Sequence, residues 1–313
     1  MKDAELNHMI NLLSHPPLLN EPMTKHTTFG IGGNVECYVY PSSQRELCEL
    51  LSYCDENNIA VFFAGSGSNL LVSDDGFDGV VISLQKTFKS LEISNEGIIN
   101  VESGVMLGNM VKNAIGEKIK GLESLIGVPG TVGGALIMNA GAYGNEISNY
   151  FHAATTMTMT GEIKNYSRGD IEFSYRDSTF PENEILVNST FVCEKGNVDN
   201  IHERKQLASQ KRKDNQPLKF RSAGSIFKNP HSEFAAGQLI DKAGLKGLRV
   251  GNAEISPKHA NFIVNLGGAL AEDVLKLIRM AQKEVAHQFN VKLELEVRLL
   301  GFSSAIKEEF THA

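Results

Sequence analysis

Residues 127–144 read GVPGTVGGALIMNAGAYG, with six glycines in eighteen positions around an apolar Ala135-Leu136-Ile137-Met138 centre. Glycine lets backbone approach a ligand closely and adopt positive φ, so a packed glycine-rich stretch suits a flat, phosphate-bearing cofactor. The same residues also read as tight turns between core strands. Glycine content alone does not separate the two readings.

A second glycine-bearing loop lies about sixty residues upstream. Ser42 or Ser43 caps an expected helix with an apolar stripe of Leu47, Leu50, Leu51 and Cys54, and the strand Ile59 to Phe63 follows. That strand runs into Gly65-Ser66-Gly67-Ser68-Asn69, which offers clustered backbone N–H groups, two hydroxyls and an amide, suited to a pyrophosphate without any lysine. It carries no Walker lysine, and no helix pattern follows as in a Rossmann loop; Leu70-Leu71-Val72 and Asp74-Asp75-Gly76 read as strand and turn. The alternative is a hairpin turn. Two such loops in one chain favour a cofactor.

The bulk properties set bounds. The chain has 313 residues, enough for two or three domains, with 42% hydrophobic and 21% charged residues. A formal net charge of −7 leaves no footprint for nucleic acid, and Lys211-Arg212-Lys213 reads as a solvated helix face. Cys37, Cys48, Cys54 and Cys193 have no metal-like spacing and read as reduced thiols of a cytoplasmic protein; the nine histidines form no HExxH, so no metal is expected. No signal peptide or membrane-spanning run is evident.

Downstream, strands are expected at Val80 to Leu84, Ile98 to Ser103, Ala153 to Met159 and Ile185 to Cys193, with a helix at Met106 to Ile115. Arg176, in Tyr175-Arg176-Asp177-Ser178, reads either as the partner of Asp177 or as a bidentate clamp for a substrate carboxylate or phosphate. A polar helix over Ile201 to Asn215 precedes SAGSIFKNP (222–230), where small neighbours leave the Ser225 hydroxyl accessible and Lys228 and Asn229 suit an anionic ligand. Helices are expected at Phe234 to Ala243 and Ala271 to Phe289. A strand over LELEVRLLG would put Leu293, Leu295 and Val297 on one face and Glu294, Glu296 and Arg298 on the solvated other.

In order along the chain, AGSGSNLLVSD, GVPGTVGGALIMNAGAYG, YRDS, SAGSIFKNP, KHANFIVN and LEVRLLG make the sequence resemble the UDP-N-acetylenolpyruvoylglucosamine reductase (MurB) family, from about Thr27 to Gly301. The resemblance implies an α+β fold: a vanillyl-alcohol-oxidase-like FAD-binding region at 27–213, in subdomains of about 27–84 and 85–213, and a smaller α+β substrate domain at 214–302. An N-terminal extension (1–26) and a tail (303–313) complete the chain. It looks like the compact subtype without a capping tyrosine loop.

By the same resemblance, Arg176, Ser225 and Glu296 are the catalytic residues. FAD contacts fall on Gly65, Ser66, Gly67, Ser68, Asn69 and Leu70, then on Gly127, Pro129, Gly130, Thr131, Gly133, Gly134, Asn139, Ala140, Gly141, Tyr143 and Gly144. Substrate contacts fall on Tyr175, Gly224, Lys228 and Asn229. Gly30 stands where relatives often have arginine, and Arg221 where a proline is common. The implied reaction uses NADPH and bound FAD to reduce UDP-N-acetylglucosamine enolpyruvate to UDP-N-acetylmuramate for peptidoglycan, hence for the cell wall, cell shape and division. Arg176 would hold the enolate-like charge, Glu296, protonated or hydrogen-bonded to the substrate, would help stabilise it, and Ser225 would protonate the α carbon. The rival readings are an FAD oxidase or dehydrogenase acting on an alcohol or hydroxy acid, and a non-catalytic flavin- or nucleotide-binding module. A cytoplasmic monomer or weak oligomer is expected.

Overall fold

The amphipathic start of the chain forms α1 (Asp3–Asn11). Ser43 caps α2 (Gln44–Glu56), its hydroxyl accepting the Glu46 amide at 3.2 Å. These elements belong to a computed structural model that describes residues 3–230 and 233–312; Met1, Lys2 and Ala313, at the ends of the expected extension and tail, lie outside the described residues. The chain divides into two units, one of Met1–Leu19, Glu36–Ser66 and Gly79–Arg212, the other of Asn20–Val35, Gly67–Asp78 and Lys213–Ala313.

The first unit has two hydrophobic cores. In one, the fully buried stripe Leu47, Leu50, Leu51 and Cys54 packs with Met9 of α1 and with Val39, Val80 and Ile82. Strands run in the order Leu18–Pro22, Asn34–Val39, Phe77–Ile82, Val61–Phe63, the last two parallel. Burial alone would raise the Glu46 carboxyl, but hydrogen bonds from Ser14 and Ser42 outweigh it and hold the group down to about 2. Burial pushes the thiols of Cys37, Cys54 and Cys193 up to about 12, and all four cysteines are free.

The other core lies on an antiparallel sheet ordered Ile163–Ser167, Phe151–Thr158, Glu184–Val192, Ile98–Glu102, Leu91–Ile93. Against it pack α3 (Leu107–Gly116) and α4 (Val132–Ile137). The helix α4 lies inside the glycine-rich stretch, where neither turns nor a loop had room for it. Two glycines argue against a helix on propensity, but Thr131 caps it, and Val132, Ala135 and Leu136 are buried. The polar helix becomes α5 (Val198–Asn215).

The second unit gathers α6 (Ala236–Lys242), α7 (Ala271–Phe289) and α8 (Ser304–His312) around the strands Arg249–Val250, Ala253–Ile255 and Ile263–Asn265. Val274, Ile278, Ala281 and Val285 of α7 face this core, as their spacing predicts. The residues set apart as a tail make α8, whose Phe310 is buried. The long strand expected over LELEVRLLG shrinks to Arg298–Leu300, which pairs in parallel with Leu70–Val72. Before it the backbone is irregular, because residues 294–297 follow the Ile226–Lys228 segment through isolated hydrogen bonds rather than a ladder. The alternation survives: Leu293 and Val297 are buried, Glu294 and Arg298 exposed, and Glu296 half-buried.

Candidate active site

In the first unit, the strand Val61–Phe63 delivers Gly65 beside the cap of α4. A Cβ on Gly65 would lie 2.8 Å from Thr131 Oγ1, so only glycine fits. The next hydroxyl, Ser66 Oγ, is buried and has no partner among the described residues. The amides of the glycine-rich stretch, by contrast, are largely committed inward. Val132 N–H donates to Val105, Gly133 N–H to Ser103, and Gly134 N–H to Thr131 Oγ1 at 3.3 Å. Its glycines serve close packing: a Cβ on Gly133 would meet Ser103 Cβ at 2.8 Å.

The far end of the stretch holds Arg176. This residue turns the chain between the two-residue strands Phe173–Ser174 and Asp177–Ser178 with φ of 60°, a strained conformation for a non-glycine residue. Its Nη2 donates to the Gly141 carbonyl at 3.1 Å, and its guanidinium carbon lies 4.8 Å from the Tyr175 ring centroid. Asn139 is fully buried. Its Nδ2 donates to Glu146 at 2.9 Å and to the Ser174 carbonyl at 2.8 Å, which ties the glycine stretch to the Arg176 hairpin. Tyr143, half-exposed with φ of 53°, has Lys211 Nζ 5.6 Å from its ring centroid.

Arg212 corrects the reading of Lys211-Arg212-Lys213 as a solvated face. It is half-buried and packs against Gly127, whose Cβ would sit 3.2 Å from Arg212 Cδ, and burial pulls its pKa down. No acidic side chain pairs with it among the described residues. The signal was in the helix spacing, because Ile201 and Ala208, the buried residues of α5, share a face with position 212.

In the second unit, Gly67 has φ of 63° and lies so close to the chain that a Cβ would meet the His26 carbonyl at 2.0 Å. Thr28 N–H donates to the Gly67 carbonyl at 3.1 Å. Asn69 Nδ2 donates to the Glu296 carbonyl at 2.9 Å, and Arg298 N–H donates back to Asn69. Glu296 N–H donates to the Ile226 carbonyl at 2.8 Å, so Ser225 and Glu296 sit on neighbouring backbone. Asn261 fixes the other side of that segment, bonding both the N–H and the carbonyl of Phe227 at 2.9 and 2.8 Å. Ser225 and Lys228 are half-buried, and Gly224 takes φ of 80° in open space. Asn229 accepts the Ala236 amide at the start of α6.

The two departures from the family pattern occupy one place. A Cβ on Gly30, at φ of 64°, would lie 2.2 Å from Arg221 Nη1 and 2.9 Å from Arg221 Cδ. Asn265 joins the two backbones, its N–H donating to the Arg221 carbonyl and its Nδ2 to the carbonyls of Phe29 and Gly30.

Of the expected catalytic residues, Arg176 therefore belongs to the first unit, with Gly141 and Asn139, and Ser225 and Glu296 to the second, with Asn69. In the first unit, the Ser66 hydroxyl, without a partner among the described residues, and the close backbone at Gly65 fit a phosphate-bearing cofactor such as FAD.

Comparison with known proteins agrees with this chemistry. Residues 35–167 match the family model described as an FAD binding domain, and residues 216–300 match the C-terminal domain of UDP-N-acetylenolpyruvoylglucosamine reductase. The reductase of Listeria welshimeri is 43% identical over 284 residues, 90% of this chain and 95% of that protein. The reductase of Clostridium tetani is 41% identical over 96% of this chain and 97% of its own. The crystal structure of the reductase (MurB) from Thermus caldophilus superposes with a TM-score of 0.77 at 36% identity, over 91% of this chain and 98% of the other. A p-cresol methylhydroxylase, 12% identical with a TM-score of 0.54 over 91% of this chain and 88% of its own, shares the fold alone. The expected α+β FAD-binding fold with a reductase C-terminal domain is thus present, and the chain belongs to the UDP-N-acetylenolpyruvoylglucosamine reductase family.

Proposed function

We propose that this chain reduces the enolpyruvyl double bond of UDP-N-acetylglucosamine enolpyruvate, with NADPH as reductant and bound FAD as carrier, to give UDP-N-acetylmuramate for peptidoglycan. The observation that carries the reading is the identity of 41–43% across at least 90% of the chain with reductases of that name. FAD, when bound, would supply the hydride-transfer chemistry that links NADPH to the substrate double bond. The balance is one NADPH and one proton consumed for each C=C reduced.

The residues of this chain then have four tasks. Ser66, Gly65 and Gly67 hold the diphosphate, and the unpaired Arg212 supplies positive charge to the bound anion. Arg176 takes the enolate-like charge of the substrate; its strained turn on Gly141 supports this role by fixing the guanidinium before substrate arrives. Ser225 gives the proton to the α carbon, with Lys228 three residues on to offset charge. Glu296, protonated or hydrogen-bonded to the substrate, helps stabilise the same developing charge; an ionised carboxylate beside it would oppose it.

The test is spectroscopic. The purified protein should be yellow, bleach with NADPH and recover its colour when UDP-N-acetylglucosamine enolpyruvate is added. Ser225→Ala should bleach normally and recover at least roughly a thousandfold more slowly, the scale of losing a positioned general acid. Normal recovery in that variant would remove Ser225 from the proton transfer. No helix among the described residues is long and apolar enough to cross a membrane. We assign the protein to the cytoplasm, as a monomer or weak oligomer, which sedimentation of the holoprotein tests.

A further inference from the structure

At the start of α5, where the two-residue strands Ile119–Lys120 and Glu194–Lys195 pair, the first unit forms a cavity of about 560 Å³, a volume in the range of small-molecule sites. Lys120, Lys195 and Arg204 line it. The two lysines are committed: Lys120 pairs with Glu194 at 2.7 Å, and Lys195 Nζ donates to the Glu117 carbonyl at 2.7 Å. Arg204, exposed on α5, has no ion pair or hydrogen-bond partner for its guanidinium among the described residues. Asn200 lies four residues before it on the same helix face and also lines the cavity. In a chain of net charge −7, a free guanidinium beside two further cations and the positive end of an 18-residue helix is directed at an anion.

The same cavity also carries a charge of the other sign. Glu123 lines it and is only 2% exposed. Its Oε2 accepts the Gly121 N–H at 2.7 Å, which fixes the carboxylate, while Oε1 is buried with no hydrogen-bond partner among the described residues. A buried carboxylate oxygen left this way is costly unless a donor meets it. Three cations line the cavity, yet none of them pairs with Glu123 among the described residues. A simple anion would be opposed by Glu123, and a simple cation by Arg204 and the lysines. Only a ligand bearing both signs satisfies the lining. None of the residues assigned above to cofactor, substrate or proton transfer takes part in it.

We propose that the cavity is an accessory site for a zwitterionic α-amino acid. The ammonium donates to Glu123 Oε1, the carboxylate is held by Arg204 and the Asn200 amide, and the buried side chain of Ile201 meets the carbon chain. What is recognised is the ammonium–carboxylate head group, which every α-amino acid carries.

Calorimetric titration of the FAD-loaded protein with L-alanine, L-glutamate and L-lysine tests it, with acetate and methylamine as the two halves of the head group. The expected result is one class of saturable site for the amino acids, at least about tenfold tighter than for either half, the scale of one charge-assisted hydrogen bond. Arg204→Glu and Glu123→Gln should each weaken that class at least about tenfold while the flavin spectrum stays unchanged. Arg204 is exposed, so its variant keeps the test intact even where the buried Glu123→Gln fails to fold. The amino acid that binds best identifies the side chain preferred. No saturable binding of any of the three, or identical isotherms in the natural chain and Arg204→Glu, would overturn the site. So would acetate or inorganic phosphate binding as tightly as the amino acids, which would make the place an anion patch only. These readouts do not depend on turnover, so failure of the proposed reaction would not imitate failure of this site.

Discussion

The glycine-rich wall of the first unit and the Ser225–Glu296 region of the second hold backbone in place by opposite means. The wall is built by leaving side chains out: Gly65, Gly133 and Gly141 let Thr131, Ser103 and Glu146 come within distances that a Cβ would block. The Ser225–Glu296 region is built by adding side chains. Asn69, Asn261 and Asn265 supply, one amide at a time, the hydrogen bonds that a regular sheet would have provided. The difference shows in charge as well. The wall keeps Arg212, unpaired among the described residues, against Gly127, whereas the pinned Phe227 backbone has both its N–H and its carbonyl bonded by Asn261.

If asparagines replace a sheet in the second unit, the largest effect should come from Asn261. Asn261→Ala leaves the N–H and carbonyl of buried Phe227 without partners. A loss of about 3 kcal/mol is expected, from two unsatisfied buried groups, and urea unfolding measures it. A loss below about 1 kcal/mol would mean that the segment is held by packing instead. The first unit offers the matching test with two adjacent glycines of one helix. Gly133→Ala drives a methyl into Ser103 and should cost about 2 kcal/mol, within the range for overpacking. Gly134→Ala meets nothing nearer than Thr131 Oγ1 at 3.6 Å, and should be neutral or stabilising by about 0.5–1 kcal/mol. Equal costs at the two positions would end the clearance argument.

Most of this scaffold is legible in the sequence, because it follows from local patterns. The Ser43 cap, the stripe of α2 and the whole span of α7 sit where capping and three- and four-residue spacing put them. The helix α4 was hidden because its stability comes from burial and the Thr131 cap, while its two glycines argue the other way. The pinning asparagines were hidden for a different reason. Asn69 and Glu296 are 227 positions apart, and Asn265 reaches Phe29 across 236, so no local pattern couples them. Motif order located Ser225 and Glu296, but only the backbone bond from Glu296 to Ile226 makes them neighbours.

The unpaired charge separates the two regions further. Arg212→Met keeps the packing on Gly127 and removes a half-buried cation that no acidic side chain pairs with among the described residues. The FAD-free protein should then melt at the same or a higher temperature, and FAD should bind about tenfold more weakly, the scale of one charge-assisted contact. Flavin fluorescence titration reads the affinity. Unchanged affinity would make Arg212 a packing residue only.

The smallest expected effect lies where the second unit borrows the device of the first. Gly30 is bare so that Arg221 can lie on it, a missing side chain making room for a present one. Gly30→Arg should cost about 1–2 kcal/mol, because φ of 64° disfavours a side chain and the new guanidinium must displace that of Arg221. The far end of Arg221 is flexible, so the displacement is the minor part. Arg221→Pro in the Gly30→Arg background removes the displaced charge and should recover about 0.5–1 kcal/mol, a coupling typical of residues in contact. Thermal melts of the four proteins in that cycle measure it. Strict additivity would show that the two positions, although they fill one space, are independent, and the glycine at position 30 would then answer only to its backbone angle.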